Sequence, residues 1–169
     1  MPDEILWAPW RSSYVTGERS EDSCVFCDKF TKTTDRDNLI LLRGKYCCVV
    51  MNLFPYNNGH VMVLPFAHKA DISELTEAEL SELYSYTTLM TKVIRKVMKA
   101  QGFNIGINMG AVAGAGIAAH LHQHIVPRWA GDTNFMPVVA KAKVISETLE
   151  ETYDKLYKEI ENIRSNGGL

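Results

Sequence analysis

Apolar residues along the chain form two kinds of pattern, and the first is the period of a helix. Between residues 79 and 98, apolar residues recur three or four positions apart, which is the period of an α-helix. Thr76 and Glu79 have the spacing of a capping box and predict the start of this helix, and Gly102 predicts its end. The same period predicts a second helix over 143–163.

Shorter apolar runs, bounded by Gly, Pro and Asn, are typical of strands. The sequence predicts five of them, over 39–42, 45–51, 60–66, 103–109 and 120–126, the last of which ends at Pro127. Because strands and helices do not alternate regularly, the pattern favours an α+β fold with a mainly antiparallel sheet and two main helices. Residues 1–36 show neither the helical period nor strand-like runs, so we expect an irregular N-terminal segment. The whole chain, 1–169, is expected to form a single domain.

Composition and charge narrow the class of function. Hydrophobic residues make up 46% and charged residues 22% of the chain, as in a soluble globular protein. The formal net charge is −2 and no basic run occurs, so nucleic acid is not an expected partner. No apolar stretch is long enough to span a membrane, and the acidic start MPDEILWAPWRSS lacks the apolar core of a signal peptide. We therefore expect a cytoplasmic protein.

The four cysteines form two pairs with different expected roles. Cys24 and Cys27 form a C-x-x-C, which is typical either of a redox pair or of half a zinc site. Cys47 and Cys48 are adjacent within the apolar run KYCCVVMN, where free cysteine behaves as a small hydrophobic residue. We expect the second pair in the core.

Three of the five histidines lie in the segment GAGIAAHLHQHIVPRW, at His120, His122 and His124. On a strand, residues two apart point to the same face and lie about 6.6 Å apart along the strand. The three imidazoles are therefore predicted to share a face. Zinc–nitrogen bonds are only about 2.0–2.1 Å long, and the outer two positions are about 13 Å apart. At least one of the three histidines must have a task other than binding the same metal.

The Gly/Ala segment before these histidines suggests that task. MGAVAGAGIAA offers backbone N–H groups with few side chains in the way, and successive amides in such a turn can form an anion-binding concavity. A phosphate beside a histidine indicates nucleophilic catalysis, in which a ring nitrogen attacks phosphorus. A neighbouring imidazole can serve in proton transfer.

A metal site is the other chemistry that the residues suggest. Cys24 and Cys27 supply two thiolates and need two further ligands to complete a tetrahedral structural site. His68 follows a predicted strand and precedes the long helix, and His120 begins the histidine segment. A closed site of these four residues would tie the N-terminal segment to the sheet. Two free cysteines in a loop remain the alternative.

The segment HLHQHIV (120–126) resembles the signature of the histidine triad (HIT) family, His-φ-His-φ-His-φ-φ, where φ is apolar. Gln123 departs from the pattern at a φ position. The segments WAPWRSSYV, CVFC, NNGHVMVLPFAH, INMG and PRWAGDTNF extend the resemblance over most of the chain. They are similar to the prokaryotic branch that includes diadenosine tetraphosphate phosphorylases and hydrolases.

The resemblance implies roles for individual residues. His122, the middle histidine, matches the nucleophile that attacks the α-phosphate of a nucleotide, and His124 matches the residue that supports it and helps proton transfer. Asn52 matches the position that holds the ribose hydroxyls, and Asn108 matches a residue near the α-phosphate. His60 matches a histidine that acts behind the triad.

Further expectations concern the phosphates. Phosphate contacts are expected from the amides of the segment 114–117, which includes Gly114, Gly116 and Ile117. Gly116 departs from many relatives, which carry Gln or Ser there, so only its backbone can serve. Asn134 matches a phosphate contact in phosphorylases. Arg128 either neutralises distal phosphates or is a surface arginine.

The resemblance also implies a metal and an assembly. Cys24, Cys27, His68 and His120 match the ligands of zinc-bearing relatives, so a structural zinc is expected. Family members are usually homodimers built on a five-stranded antiparallel sheet. The implied substrate is a nucleotide, and a dinucleoside polyphosphate in particular.

The resemblance leaves several functions open. A nucleotidyl hydrolase or transferase with a covalent nucleotidyl-histidine intermediate is the leading interpretation. The same triad would also serve a nucleoside phosphoramidate or acyl-adenylate hydrolase. A nucleotide-binding regulatory protein with little turnover, or a catalytic zinc enzyme that uses His120 and His122 as ligands, are the alternatives from other classes.

Overall fold

The structure, a computed structural model, describes residues 24–133 and 145–168. Five strands form one antiparallel sheet in the order β1-β2-β3-β5-β4. The helices and strands are α1 (Val25–Phe30), β1 (Ile40–Arg43), β2 (Cys47–Met51), β3 (Val61–Pro65), α2 (Glu77–Met98), β4 (Gly102–Ile107), β5 (Gln123–Arg128) and α3 (Leu149–Ser165). This architecture confirms the predicted α+β fold with two long helices.

The central strands are buried on both faces, which is why β2 and β3 are continuous apolar runs rather than alternating ones. On one face, Cys47 and Val49 of β2 belong to the core beneath α2 and α3. On the other face, Cys48 and Val50 pack with Phe26 of α1. Both thiols of the adjacent pair are inaccessible to solvent, as the sequence predicted. The histidines discussed below lie on the second face, because His124 pairs with Met62 of the same cluster.

The start of each long helix is set by a capping box. Thr76 accepts a hydrogen bond from the amide of Glu79, whose carboxylate accepts one from the amide of Thr76, so α2 begins where the sequence predicted. The same reciprocal pair forms between Thr148 and Glu151. The predicted second helix, 143–163, therefore begins too early. Residues 145–148 precede α3, and residues 143 and 144 lie outside the described ranges.

The predicted end of the first helix is wrong. Lys99, not a glycine, adopts the left-handed conformation after Met98, with φ of 56°. Gly102 is instead the first residue of β4. Lysine at a left-handed position is uncommon, so no sequence pattern indicated this helix end.

The N-terminal segment 1–36 is not irregular throughout. Residues 25–30 form the short helix α1, anchored by the burial of Phe26 against the sheet. Six residues are too few for a sequence period to indicate a helix. Residues 1–23 are outside the part of the chain that the structure describes.

The strand that carries the histidines starts and ends later than predicted. By the register of β3 with β5, Pro65 would oppose Leu121, but its nitrogen carries no hydrogen and its carbonyl is taken by the His120 ring. The amide of Leu121 donates to the carbonyl of Lys69 instead. The sheet ladder therefore begins at Gln123, and only His124 of the three histidines lies within it.

Pro127 does not end the strand, because it lies inside β5 opposite Phe103. Its carbonyl accepts from the side chain of Asn57, on the side where β3 no longer pairs with β5. The amide hydrogen that proline lacks would point to the same side, so no ladder bond is lost. Gln123 faces the long helices, where its Oε1 accepts a hydrogen bond of 2.6 Å from Thr87.

Among the residues that the structure describes, no helix combines the length and the apolar character needed to cross a bilayer.

Candidate active site

His122 is held in one tautomer by the backbone. Its Nδ1 lies 2.8 Å from the carbonyl oxygen of His120. Because a carbonyl can only accept, Nδ1 carries the hydrogen and Nε2 keeps the lone pair. Burial lowers the pKa of His122 below its ordinary value, with the His120 carbonyl acting in the opposite direction. The ring is therefore a neutral imidazole with a free nucleophilic nitrogen at neutral pH.

A second pair of imidazoles adjoins it. Nε2 of His60 lies 3.0 Å from Nδ1 of His124, and the amide of Tyr56 donates to Nδ1 of His60 over 3.0 Å. A backbone amide can only donate, so Nδ1 of His60 has the lone pair and Nε2 has the hydrogen. His60 then donates to His124, whose own hydrogen must sit on Nε2.

The side chain of Asn52 reinforces this chain of tautomers. Its Oδ1 accepts from the amide of Phe54, which orients the amide group and turns Nδ2 toward Nδ1 of His60 at 3.4 Å. Asn52, the residue predicted to bind ribose, is therefore hydrogen-bonded to the histidine pair in this structure. Its half-buried side chain still leaves part of its surface open to a ligand.

Both imidazoles of the pair are kept uncharged. Burial, followed by the charges of His124 and His122, lowers the pKa of His60 to about 3. Burial, followed by the charge of His122, lowers the pKa of His124 to about 4. Both rings are therefore neutral near pH 7, as the tautomer chain requires.

Aromatic rings enclose the histidine segment. Phe26 of α1 lies 5.3 Å from the His122 ring and 5.5 Å from the His120 ring, centroid to centroid. The rings of His122 and His124 meet edge to face at 4.9 Å. The triad therefore forms a packed row in which each histidine has its own partner, rather than three equivalent rings on one strand face.

The four predicted metal ligands are brought together in space. Cys24, Cys27, His68 and His120 present ligand atoms that all lie within 4.8 Å of one another. Nδ1 of His120 is 3.4 Å from Sγ of Cys24 and 3.6 Å from Sγ of Cys27, and Nδ1 of His68 is 3.3 Å from Sγ of Cys27. These contacts join residues up to 96 positions apart. The group could hold one metal ion.

The tautomer of His120 suits a metal ligand. Its Nε2 donates to the carbonyl of Pro65 over 2.9 Å, so the lone pair is on Nδ1, which faces the two thiols. Burial and the neighbouring Cys24 raise the pKa of Cys27 to about 11, so this thiol releases its proton only when a cation replaces it. His122 is not part of this group, which leaves the alternative of a catalytic metal on His120 and His122 without geometric support.

The Gly/Ala segment turns back on itself before His120. Gly110 and Gly114 have positive φ angles of 80° and 88°, which glycine adopts without strain, around a short 3₁₀ turn at Ala111–Ala113. Within the described residues, the amides of 116–119 donate to no backbone carbonyl. Ile117 packs against the cluster that contains Phe26, so these free donors adjoin the face on which His122 lies.

The remaining predicted contacts divide into placed and unplaced residues. Asn108 follows directly after β4 and is half-buried, and Gly116 is exposed in the turn. Asn134 lies outside the described ranges, so its predicted phosphate contact stays a prediction.

Arg128 is occupied within the protein. Its guanidinium donates to both carboxylate oxygens of Asp132 over 2.6 and 3.0 Å and to Oδ1 of Asn104 over 2.9 Å. Asp132 also accepts from Asn57 over 2.8 Å. The hydrogen bond from Arg128, opposed by burial, holds the pKa of Asp132 far below its ordinary value. Of the two interpretations, this geometry favours a structural arginine that ties β5 to β4.

Comparison with known proteins identifies the chain. The model of the HIT domain family matches residues 33–131, which is more than half of the sequence. The chain belongs to the HIT family. The match begins after the C-x-x-C and ends at Gly131, immediately before Asp132.

Two of the curated relatives carry the names of enzymes. The chain is 39% identical over 154 residues to a protein named AP-4-A phosphorylase from Mycobacterium tuberculosis, covering 87% of this chain and 79% of that protein. It is 37% identical over 93 residues to the asymmetrical bis(5'-nucleosyl)-tetraphosphatase of Schizosaccharomyces pombe, covering 55% of this chain and 50% of that protein.

Solved HIT structures have the same fold. A zinc-bound histidine triad family protein from Mycobacterium smegmatis superposes with a TM-score of 0.68 at 23% identity, over 85% of this chain and 97% of that one. A histidine triad nucleotide-binding protein from Sulfolobus tokodaii gives a TM-score of 0.68 at 27% identity, over 86% and 97% of the two chains.

Some residues of this HIT site carry no sequence signal. Tyr56 and Phe26 contact the histidines only because the fold brings distant segments together, and single aromatic residues in a loop or a short helix are not distinctive. The carbonyl groups of Pro65 and His120, which select the tautomers, are likewise backbone atoms. A sequence pattern of side chains cannot indicate them.

Proposed function

We propose that this HIT-type enzyme cleaves nucleoside polyphosphates, and dinucleoside polyphosphates in particular, at the α-phosphate through a nucleotidyl group carried on His122. The observation that carries the proposal is the hydrogen bond from Nδ1 of His122 to the His120 carbonyl. It leaves Nε2 as a neutral nucleophile without any need for deprotonation. The names of the curated relatives support the substrate class.

The reaction proceeds in two displacements. The lone pair on Nε2 of His122 forms an N–P bond to the α-phosphorus while the P–O bond to the leaving polyphosphate breaks, and that oxygen takes the bonding pair. The oxygen of water or of inorganic phosphate then attacks the same phosphorus, and the N–P bond breaks to restore the imidazole. The entering nucleophile loses its proton to solvent in this second step.

His124 stabilises charge at the phosphate. Its tautomer places a hydrogen on Nε2, so a neutral His124 can donate a hydrogen bond to a phosphate oxygen as charge builds there. A departing polyphosphate needs no proton, so this donor role is sufficient for the first step. The predicted part of His124 in proton transfer is not needed for this first step and stays a prediction for the second.

The position of the Gly/Ala segment supports the proposed phosphate contacts. The amides of Gly116 and Ile117, which donate to no backbone carbonyl among the described residues, adjoin the face of His122 and can bind the α-phosphate oxygens. Gly114 provides the turn that exposes them, and Asn108 lies at the nearby end of β4. Asn52 holds the ribose hydroxyls, whereas the phosphate contact of Asn134, which lies outside the described ranges, stays a prediction.

The Cys/His group is proposed to bind a structural zinc ion. Zinc bonds of about 2.3 Å to sulfur and about 2.0–2.1 Å to nitrogen place tetrahedral ligand atoms roughly 3.3–3.8 Å apart. The measured Sγ–Nδ1 distances of 3.3, 3.4 and 3.6 Å fit that range. A four-ligand site has no open position, so the ion would hold α1 against the sheet rather than take part in chemistry.

A homodimer through β4 is also proposed. This strand is at the edge of the sheet, and apolar side chains are exposed on it and on the loop that follows: Ile105, Met109 and Val112.

Sedimentation velocity at micromolar concentration is expected to give a dimer, and Ile105→Lys is expected to give a monomer. Tyr84→Lys, which changes a residue of similar exposure on α2, is the matched control and should remain dimeric. A monomeric wild type would contradict the interface.

The test of the activity is the identity of the products from diadenosine tetraphosphate. With inorganic phosphate in excess, we expect ADP and ATP, because phosphate replaces water as the second nucleophile. Without phosphate, we expect slower release of AMP and ATP. The basis for expecting phosphorolysis is the 39% identity to the AP-4-A phosphorylase.

Other outcomes of this assay are equally informative. AMP and ATP without ADP at every phosphate concentration would identify a hydrolase and overturn the phosphorolysis expectation. No turnover of dinucleoside polyphosphates, with turnover of nucleoside phosphoramidates or acyl-adenylates, would replace the proposed substrate. Stoichiometric nucleotide binding without turnover of either class would favour a regulatory protein.

A further inference from the structure

Tyr56 lies over the His60–His124 pair. Its ring centroid is 4.7 Å from that of His60, at an interplanar angle of 38°, and 5.6 Å from that of His124, at 34°. The tyrosine itself is 53% exposed, whereas His60 and His124 are 1% and 8% exposed. One side of the tyrosine ring therefore faces solvent, and the other covers the two imidazoles.

The other neighbours of the pair belong to the protein interior or to the triad. His122 packs beside His124, and Asn52 and the Tyr56 amide contact His60. The titratable groups that face the pair are thus His122 and the Tyr56 phenol. Within the described residues, no carboxylate, lysine or arginine acts on either ring.

We propose that Tyr56 is a positioning residue, whose ring excludes water from the His60–His124 pair and so preserves the tautomer in which His124 offers its Nε2–H to the substrate. This assignment rests on the proposed function for the identity of the substrate. The contact between the rings and the tautomer chain do not depend on it. The amide of the same residue selects the tautomer of His60, so one residue acts on the pair through both its backbone and its ring.

The physical argument concerns the cost of a charge on the pair. A proton added to Nδ1 of His124 would face the Nε2–H of His60 across 3.0 Å, and the hydrogen bond between the two rings would be lost. Burial is the largest cause of the low pKa values, about 3 for His60 and about 4 for His124. Without the Tyr56 ring, water reaches the pair and stabilises the protonated form, so both pKa values rise toward the ordinary value.

The first experiment measures the pair directly, without substrate. Long-range ¹H–¹⁵N spectra of histidine-labelled protein near neutral pH are expected to show His60 and His124 both as Nε2–H tautomers. In a titration over about pH 5–8, the range in which ordinary histidines change charge, neither should protonate in the wild type. In Tyr56→Ala both should begin to protonate within that range, and in Tyr56→Phe they should behave as in the wild type.

The second experiment is the pH profile of kcat/KM on diadenosine tetraphosphate. For Tyr56→Ala, we expect the acid limb to move upward by at least about one pH unit, since one unit of pKa changes the neutral fraction about tenfold below the pKa. Tyr56→Phe should keep the wild-type profile, because the ring and not the hydroxyl shields the His60–His124 pair from water. Tyr84→Ala, which removes a ring of 54% exposure from α2, is the matched control and should leave the profile unchanged.

The two experiments separate failure of this inference from failure of the proposed function. If His60 and His124 keep their tautomers and their resistance to protonation in Tyr56→Ala, the proposed cover is wrong, whatever the enzyme acts on. If the spectra change as expected but diadenosine tetraphosphate is not a substrate, the role of Tyr56 stands and the substrate assignment fails. An unchanged profile in Tyr56→Ala on an active enzyme also overturns the inference.

Discussion

His122→Asn is expected to lose turnover of diadenosine tetraphosphate by several orders of magnitude while the protein keeps its fold. The imidazole Nε2 is the attacking atom, and the asparagine amide has no comparable lone pair. The asparagine Nδ2 can still donate to the His120 carbonyl, so the hydrogen bond that orients this position is preserved. The measurement is kcat by product chromatography, accompanied by the melting temperature.

His124→Asn is the control for this variant. It changes the neighbouring triad residue in the same way and should lose less activity, because it removes a hydrogen-bond donor and not the nucleophile. Quenching the wild-type reaction during turnover should also yield an acid-labile nucleotidyl adduct on His122. If His122→Asn retains more than a small fraction of wild-type turnover, or if the adduct maps to another residue, His122 is not the nucleophile.

Cys24→Ser is expected to release the metal and to lower the melting temperature much more than it lowers activity near room temperature. A closed structural site contributes free energy of folding, and its four ligands come from three separate segments of the sequence. In a domain of this size, each kcal/mol of lost stability lowers the melting temperature by about 2–4 °C. A loss of several kcal/mol on removing a bound metal therefore predicts a decrease of about ten degrees.

Cys47→Ala is the matched control for the metal site. Its thiol is buried in the core beneath the long helices and contacts the carbonyl of Glu79, away from the four ligands. It should lose some stability through the lost packing but retain a full equivalent of zinc, measured by elemental analysis of protein purified without chelator. Wild-type protein that contains no metal under those conditions would contradict the proposed site.

The expected loss of stability has a structural origin in α1. This helix has only six residues, and its N-cap, Cys24, makes no side-chain capping bond. Phe26 is nevertheless buried at 5% exposure against the rings of His120 and His122. Without the metal, neither the two cysteines beside Phe26 nor His120 would be held in place, so the contact between Phe26 and the triad would loosen. Any effect on activity would then act through Phe26.

Sequence patterns predicted those elements whose signals are local. The capping box at Thr76 and Glu79 gave the first residue of α2, because both partners lie within one helical turn. The apolar runs of β2 and β3 gave the strands and the burial of Cys47 and Cys48. The C-x-x-C and the alternating histidines pointed to the residues of the site, since these side-chain types are uncommon and their spacing is distinctive.

Predictions failed where a boundary depends on distant partners. The start of β5 is displaced from residue 120 to Gln123 because Pro65, on another strand, cannot donate and Leu121 pairs with Lys69. Pro127 continues the strand because Asn57 supplies the hydrogen bond on the side that β3 has left. The helix α1 forms because Phe26 has a cluster to enter. None of these partners is near its effect in the sequence.

The chemical character of this protein was therefore determined by the sequence alone. Three histidines, two thiols and a run of small residues predict a phosphate-binding imidazole site and a candidate metal site, because residue types and their spacing can be read without the fold. Only the tertiary structure decided which nitrogen of each imidazole carries its hydrogen. That choice depends on the carbonyl groups of Pro65 and His120 and on the amide of Tyr56. Every residue type has the carbonyl and every type but proline has the amide hydrogen, and these groups become partners only when the folded chain brings them within hydrogen-bond distance.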